Sequence, residues 1–272
     1  MKTTLLILTI IIYTSKLFSQ TLNADKTESE LWNSYKKILY YRLGTETIYF
    51  DSIEIENQNF RKKINLNICN NPNSINYNFD SLKQNIHIVN SEDGKLRIYS
   101  WNTWLGGTME DYESVFQFKY KDSVYSTRNQ VVLEEKDENY LGFYSQIFTL
   151  KTENKIYYLT IENGKYSSKD ISQSVKIMSI ENNILNDSIK LFKTSDGVVN
   201  SLNIYFDFFS VVNRPERPLQ LIKYDKKKNI LFIPIINEKE QVTNRYDLYQ
   251  FTGENFEHIG TKWKNKRWYP RN

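Results

Sequence analysis

From residue 86 onward the chain is written as strand-length runs paired through tight polar turns, and this pairing limits the possible folds more than any other feature. IHIVNSEDGKLRIYSW (86–101) leads to SVFQFKYKDSVYS (114–126), and SQIFTLKTENKIYYLTIEN (145–163) leads to SVKIMSIENNILNDSIKLF (174–192). LQLIKYDKKKNILFIPIIN (219–237) leads in the same way to RYDLYQFTGENFEHIG (245–260). Each unit reads strand, turn, strand, excursion, strand, turn, strand, so three four-stranded antiparallel meanders are predicted. Asp93-Gly94 and Gly253 supply turn residues that accept positive φ, and Glu153-Asn154 and Asn182-Asn183 supply asparagines that do so at modest cost. With 20 Tyr and 15 Phe the chain is also rich in rings that pack well on a pleated surface. The fold class expected is mainly β, the meanders arranged either as propeller-like blades or as a β-sandwich. Unit starts near 86, 145 and 219 are unevenly spaced for blades, and residues 197–211 add a strand between the second and third units. The Gly-His and Trp-Asp signature of WD-type blades is absent.

The N-terminus carries a different signal. Lys2 precedes an apolar run from Leu5 to Tyr13, and Lys16-Leu-Phe-Ser19 leads to a plausible cut before Gln20. This is the pattern of a secretory signal peptide over residues 1–19, and an apolar run of about nine residues is too short for the roughly 20 that span a bilayer. No cysteine lies near the cut, so an exported chain without a lipid anchor is expected, periplasmic or secreted, with no transmembrane segment after processing. Residues 20–80 are expected to form a helix and a strand/loop segment packed on the sheet, and residues 81–272 the β-repeat domain. Asp25 to Leu43 reads as a helix, with Thr27 and Glu30 at capping-box spacing and Gly44 just past its end. Thr47 to Ile55 alternates as a strand would, Phe60 to Ile68 fits either a helix or a strand, and the Asn-rich 70–78 reads as a loop.

The combined pattern of an FSQ-type signal end, an Asn/Lys/Ile-rich composition and the DGKLRIYSW…GGT segment resembles secreted β-rich proteins of Bacteroidota that form no named functional family. The resemblance covers the signal and residues 79–126. It implies export and β structure, and it implies no catalytic residue.

Charge excludes one class of partner. Lys and Arg number 36 against 32 Asp and Glu, and two of the bases, Lys2 and Lys16, fall in the signal. Such a balance lacks the concentrated field that general nucleic-acid binding needs. Cys69 is the lone cysteine, so no intramolecular disulfide can form, and it reads as a buried small hydrophobe.

The stretch LRIYSWNTWLGGTM (96–109) is the most distinctive candidate site. In a strand, Leu96, Ile98 and Ser100 share one face while Arg97, Tyr99 and Trp101 share the other. One reading is an aromatic platform for a sugar ring or peptide: Trp101, Trp104 and Tyr112 would stack, Gly106 and Gly107 would allow close approach, and Glu110, Asp111 and Glu113 would supply polar contacts. The other reading is that the tryptophans plug the end of a sheet while the glycines turn the chain. The same acidic group offers paired carboxylates for glycoside hydrolysis, a chemistry that needs them across a common cleft. A second candidate is the tail: Trp263, Lys264, Lys266, Arg267 and Trp268 alternate base and ring, as a surface for anionic polymers does, or as a closing hairpin does.

No named chemistry is written elsewhere. His87 and His258 stand apart with no metal-ligand spacing, NSEDG at 90–94 lacks the order of a calcium loop, and GxSxG and GxxxxGK are missing, so no metal and no cofactor is expected. The expectation is an exported, non-enzymatic binding or interaction scaffold, its partner a glycan or another envelope protein. The alternative is a secreted or periplasmic hydrolase acting on glycan.

Overall fold

The structure, a computed structural model, describes residues 24–69, 71–128, 142–214 and 220–263. The expected signal peptide therefore lies outside the described residues, as do Lys264, Lys266, Arg267 and Trp268 of the basic tail. The chain is mainly β, with three sheets behind a helical pair. No helix among the described residues is long and apolar enough to cross a membrane.

Helix α1 covers residues 24–43, and α2 runs Phe50–Cys69. Thr27 lies inside α1 and is buried, so it does not cap it; Gly44 N–H closes the last turn on Tyr40 O at 2.8 Å. The strand expected over 47–55 is instead the entry to α2. The reason is periodicity over a longer window: Ile53, Asn57, Phe60 and Ile64 recur at helical spacing and are all buried, whereas Ile55 and Leu66 face solvent. A stretch that alternates over nine residues was outvoted by a stripe that only appears over twelve. Cys69 ends α2, and its side chain lies outside the described residues. Within the 70–78 loop, Pro72–Asn76 forms a 3-10 turn whose first N–H groups are met by Asn71, which accepts from Asn73 N–H at 3.1 Å.

The first meander is β1 (His87–Asn90), β2 (Leu96–Asn102), β3 (Tyr112–Tyr120) and β4 (Ser123–Arg128), paired in that order. The second is β5 (Phe143–Lys151), β6 (Ile156–Lys165), β7 (Asp170–Glu181) and β8 (Ile184–Asn186). Short β9 (Phe192–Thr194) and β10 (Gly197–Val199) follow, then β11 (Ser201–Asp207), which returns to pair with β7. The third meander is β12 (Lys223–Asp225), β13 (Ile230–Ile236), β14 (Val242–Phe251) and β15 (Phe256–Trp263), extended by β9, which joins β15 in parallel, and β10. All three predicted meanders are present, and the strand expected in 197–211 is β11. Turn chemistry follows the sequence at Gly94, Asn182, Asn183 and Gly253, all at positive φ. Glu153-Asn154 needs no such residue, because Thr152 N–H and Oγ1 both donate to Lys155 O across that turn.

The layers stack in chain order. The helices bury Leu31, Tyr35, Ile53 and Phe60 against Tyr99, Trp101 and Val115 of the first sheet. The other face of that sheet buries Leu96, Ile98, Phe116 and Phe118 against Tyr144, Ile147, Tyr158 and Met178 of the second. The second sheet's remaining face buries Leu159, Ile161, Val175 and Ile177 against Phe192, Leu231, Phe251 and Phe256 of the third. Each sheet in the middle of the stack is thus apolar on both faces, which drives the layering. No sheet closes on itself among the described residues.

Candidate functional site

Alternation in β2 and β3 decides where the residues of the predicted platform go. Tyr99 and Trp101 pair with Val115 and Glu113 on the helix-facing side, while Ser100 and Asn102 pair with Ser114 and Tyr112 on the side facing the second sheet. Trp101 is 0% exposed; its indole N–H donates to Asn57 Oδ1 at 2.9 Å, and its ring meets Phe60 edge-on at 5.0 Å. Asn57 itself donates to Ile53 O and Thr103 O, both at 2.8 Å, so the indole is one link in a satisfied buried network. Trp101 therefore offers no face to a ligand and acts as the pin between α2 and the first sheet.

Trp104 sits in the excursion at φ 61°, half-buried against the same helical core, with its indole N–H donating to Tyr35 Oη at 3.2 Å. The loop base is tied by Thr103, whose N–H donates to Asp111 O at 2.8 Å and whose hydroxyl donates to Asp111 Oδ2 at 2.7 Å. Gly106 is obligatory for packing, since a Cβ there would lie 2.1 Å from Met109 O; a Cβ on Gly107 would meet nothing. Glu113 is buried and pairs with Arg61 of α2.

The other half of the motif turns away from the helices. Glu110 forms a β-bridge with Lys165 and accepts from its ammonium, and Tyr112 Oη donates to Glu110 Oε2 at 2.6 Å. Phe143 stacks on His87 at 3.8 Å and tilts against Tyr112 at 5.1 Å. Burial alone would raise the Glu110 pKa, but the hydrogen bonds of Lys165 and Tyr112, with the charges of Lys165 and His87, bring it below the usual value. Burial pushes His87 below the ordinary imidazole value against the opposing pull of Glu110, and burial followed by the Glu110 hydrogen bond pushes Tyr112 well up. A carboxyl held ionised in this way is a poor general acid at neutral pH. Glu110 and Glu113, each with its own cation, serve opposite sides of the first sheet, so they do not flank one substrate. This end of the molecule is a clamp that fastens the 103–111 excursion to the β6–β7 hairpin.

Open space lies at the other end of the same two sheets. The β1–β2, β3–β4, β5–β6 and β7–β8 turns converge there around a cleft of about 670 Å³. Its charged lining is Lys95, Lys119, Lys121 and Lys155 against Asp93 and Glu181. Both acids are engaged: Asp93 accepts from Ser91 Oγ at 2.6 Å, Lys95 N–H at 3.1 Å and Tyr158 Oη at 3.0 Å, and Glu181 accepts from Lys155 Nζ at 3.2 Å and Ser179 Oγ at 3.1 Å. Burial and the Asp93 charge together hold the Tyr158 hydroxyl in its protonated, donating form. The ammonium groups of Lys95, Lys119 and Lys121 make no ion pair with a described residue, and that of Lys121 lies 5.4 Å above the Tyr120 ring. Asn76, Asn154 and Asn182 add exposed amides to the lining, and Ile75, Ile156 and Ile180 give it an apolar floor.

No single stretch reveals this cleft, because its residues come from four hairpin turns and the Pro72–Asn76 turn. A signal was nevertheless present: SEDGK, KYKDS and TENK each carry lysine in or beside a turn, and hairpins stacked in register place such turns together. At the far end of the third sheet, Trp263 is 66% exposed with the Arg245 guanidinium 5.6 Å over its ring. Among the described residues no three His, Cys, Asp or Glu side chains converge as a metal site would require. No protein-family model matches the chain, and no curated protein matches it.

Proposed function

We propose that this chain is an exported, non-catalytic β-repeat protein that binds a ligand, a glycan first among the candidates, in the cleft at the hairpin end of its first two sheets. The observation that carries the reading is the cleft itself, whose volume falls within the range of small-molecule sites and whose lining mixes an apolar floor with a few convergent polar groups. It is framed by four turns on two packed sheets, so a ligand would meet a seat already shaped before it arrives. The opposite end argues against hydrolysis, because its carboxylates are tied into ion pairs on different faces. The LRIYSWNTW stretch contributes by anchoring the first sheet to the helices, and its part in binding is indirect.

The test is protein-observed NMR on the chain from Gln20, titrated with a library of oligosaccharides. Amide shifts confined to 75–76, 93–95, 119–121, 154–158 and 180–182 are expected. Shifts centred on 103–111, or consumption of the saccharide during the titration, would overturn the proposal. N-terminal sequencing of exported material should begin at Gln20; a start at Met1 would overturn the signal-peptide assignment.

A further inference from the structure

We infer that the cleft selects an anionic saccharide, one bearing carboxylate or sulfate groups along its rings. This rests on the reading of the cleft as a ligand seat and adds the chemistry of what sits there.

Charge accounting within the lining is the first support. Four lysines face two acids, of which Asp93 accepts from three of the protein's own donors and Glu181 from two, both on Oε1. Lys155 is also spoken for by Glu181. What is left over is a net charge of +2, with the ammonium groups of Lys95, Lys119 and Lys121 in no ion pair with a described residue, around a concave wall that focuses their field. Lys119 and Lys121 sit two apart across the β3–β4 turn, and Lys95 is joined to Lys119 by the backbone bond from Lys119 N–H to Lys95 O at 2.8 Å. The cations are therefore on adjoining hairpins that line the same cleft.

Backbone geometry is the second support. Lys121 holds φ at 52°, a conformation that Gly or Asn adopts more cheaply than lysine. This conformation sets the Lys121 ammonium over a tyrosine ring at the cleft wall.

The rest of the lining favours a saccharide over a nucleic acid. Asparagine amides and ammonium groups suit ring hydroxyls, and one half-buried tyrosine, Tyr120, gives a single stacking face. A nucleic-acid groove instead needs a long basic track with several rings for successive bases, and the cleft is compact and edged by acids.

The experiment is isothermal titration of the chain from Gln20 with matched ligand pairs: oligogalacturonate against its methyl ester, and a sulfated dextran oligosaccharide against its unsulfated parent. Each acid is expected to bind, with its neutral partner weaker by about tenfold or more, as loss of charge-assisted hydrogen bonds implies. Which acid binds tighter separates a carboxylate ligand from a sulfate one. Raising the ionic strength from about 0.1 M to about 1 M, which shortens screening to about 3 Å, should weaken the acid and leave the ester nearly unchanged. Lys121→Asn is the central variant, because the turn accommodates Asn and the fold should hold its melting temperature while affinity falls by about tenfold. Lys119→Gln should act in the same direction.

Equal binding of the neutral and charged partners, with NMR shifts still at the cleft, would overturn the anionic class and leave the ligand seat standing. Binding of the acid that survives both lysine variants would overturn the assignment to these residues. Tighter binding of a single-stranded oligonucleotide would overturn the saccharide class. Failure of every ligand to shift a cleft resonance would remove the seat and the inference together.

Discussion

Replacing Trp101 separates a packing residue from a binding residue most sharply. Its side chain is wholly buried, its ring lies edge-on to Phe60, and its N–H is one of three hydrogen bonds made by the buried Asn57 amide. Truncating a buried Trp to Ala costs about 3–5 kcal/mol through lost transfer energy and residual cavity. Stranding Asn57 Oδ1 adds part of a further 1–3 kcal/mol or so, since the loop can relax toward it. Trp101→Ala should therefore lie near the top of the cavity range, at about 4–5 kcal/mol, a large share of the roughly 5–15 kcal/mol typical of a whole domain. Trp101→Phe keeps most of the packing and deletes the donor, so about 1–3 kcal/mol is expected. Urea unfolding of the chain from Gln20, analysed at constant slope, reads both values. Combining Trp101→Phe with Asn57→Ala gives a cycle whose coupling should exceed about 0.5 kcal/mol, because the residues share a bond. The reasoning fails if Trp101→Phe leaves the midpoint unmoved, or if Trp101→Ala stays as stable as the parent and loses saccharide binding.

The adjacent glycines give a cleaner contrast: Gly106→Ala drives a Cβ into Met109 O and should cost about 1–3 kcal/mol, while Gly107→Ala points into open space and should change the midpoint by less than about 0.5 kcal/mol. Equal costs at the two positions would contradict the loop geometry. Glu110, held below the usual carboxylate value, contributes stability that is present above that value and lost as pH falls through its folded pKa. Glu110→Gln should thus flatten the acid limb of the stability profile by at most about 1 kcal/mol, since the Glu110 and Lys165 side chains are 29% and 39% exposed and water screens them. The His87 imidazole should titrate by NMR below the free-histidine value, and lower still in Glu110→Gln, because the Glu110 charge is what opposes the effect of burial. A His87 midpoint that is unmoved by that substitution would break the proposed clamp.

Much of the fold was legible because its signals are local. Period-two alternation assigns Leu96 and Ile98 to one face and Tyr99 and Trp101 to the other whatever the sheet packs on, and the cores on the two sides of the first sheet follow that division. Turn residues such as Asp93-Gly94 and Asn182-Asn183 mark the hairpins because few residues accept positive φ. The 47–55 segment misled for the same local reason. Over nine residues TIYFDSIEI satisfies a strand, and only the burial of Ile53 with Phe60 and Ile64 against a distant sheet favours the helix.

The candidate site was less legible. That Trp101, Trp104 and Tyr112 are near one another in sequence says nothing about a shared surface, and β2 and β3 send Trp101 and Tyr112 to opposite faces. The division between what each level determines is therefore physical. Composition, period and turn chemistry, all set within a few residues, determined three antiparallel meanders and where each one bends. Tertiary packing decided what those bends enclose: the helices packed on the first sheet turned Trp101 into a core pin, and the stacking of the first two sheets tied Glu110 to Lys165 and gathered lysines from separate hairpins around one cleft. Only contacts between residues far apart in the chain make such a cleft, because a turn taken alone leaves its lysine in water.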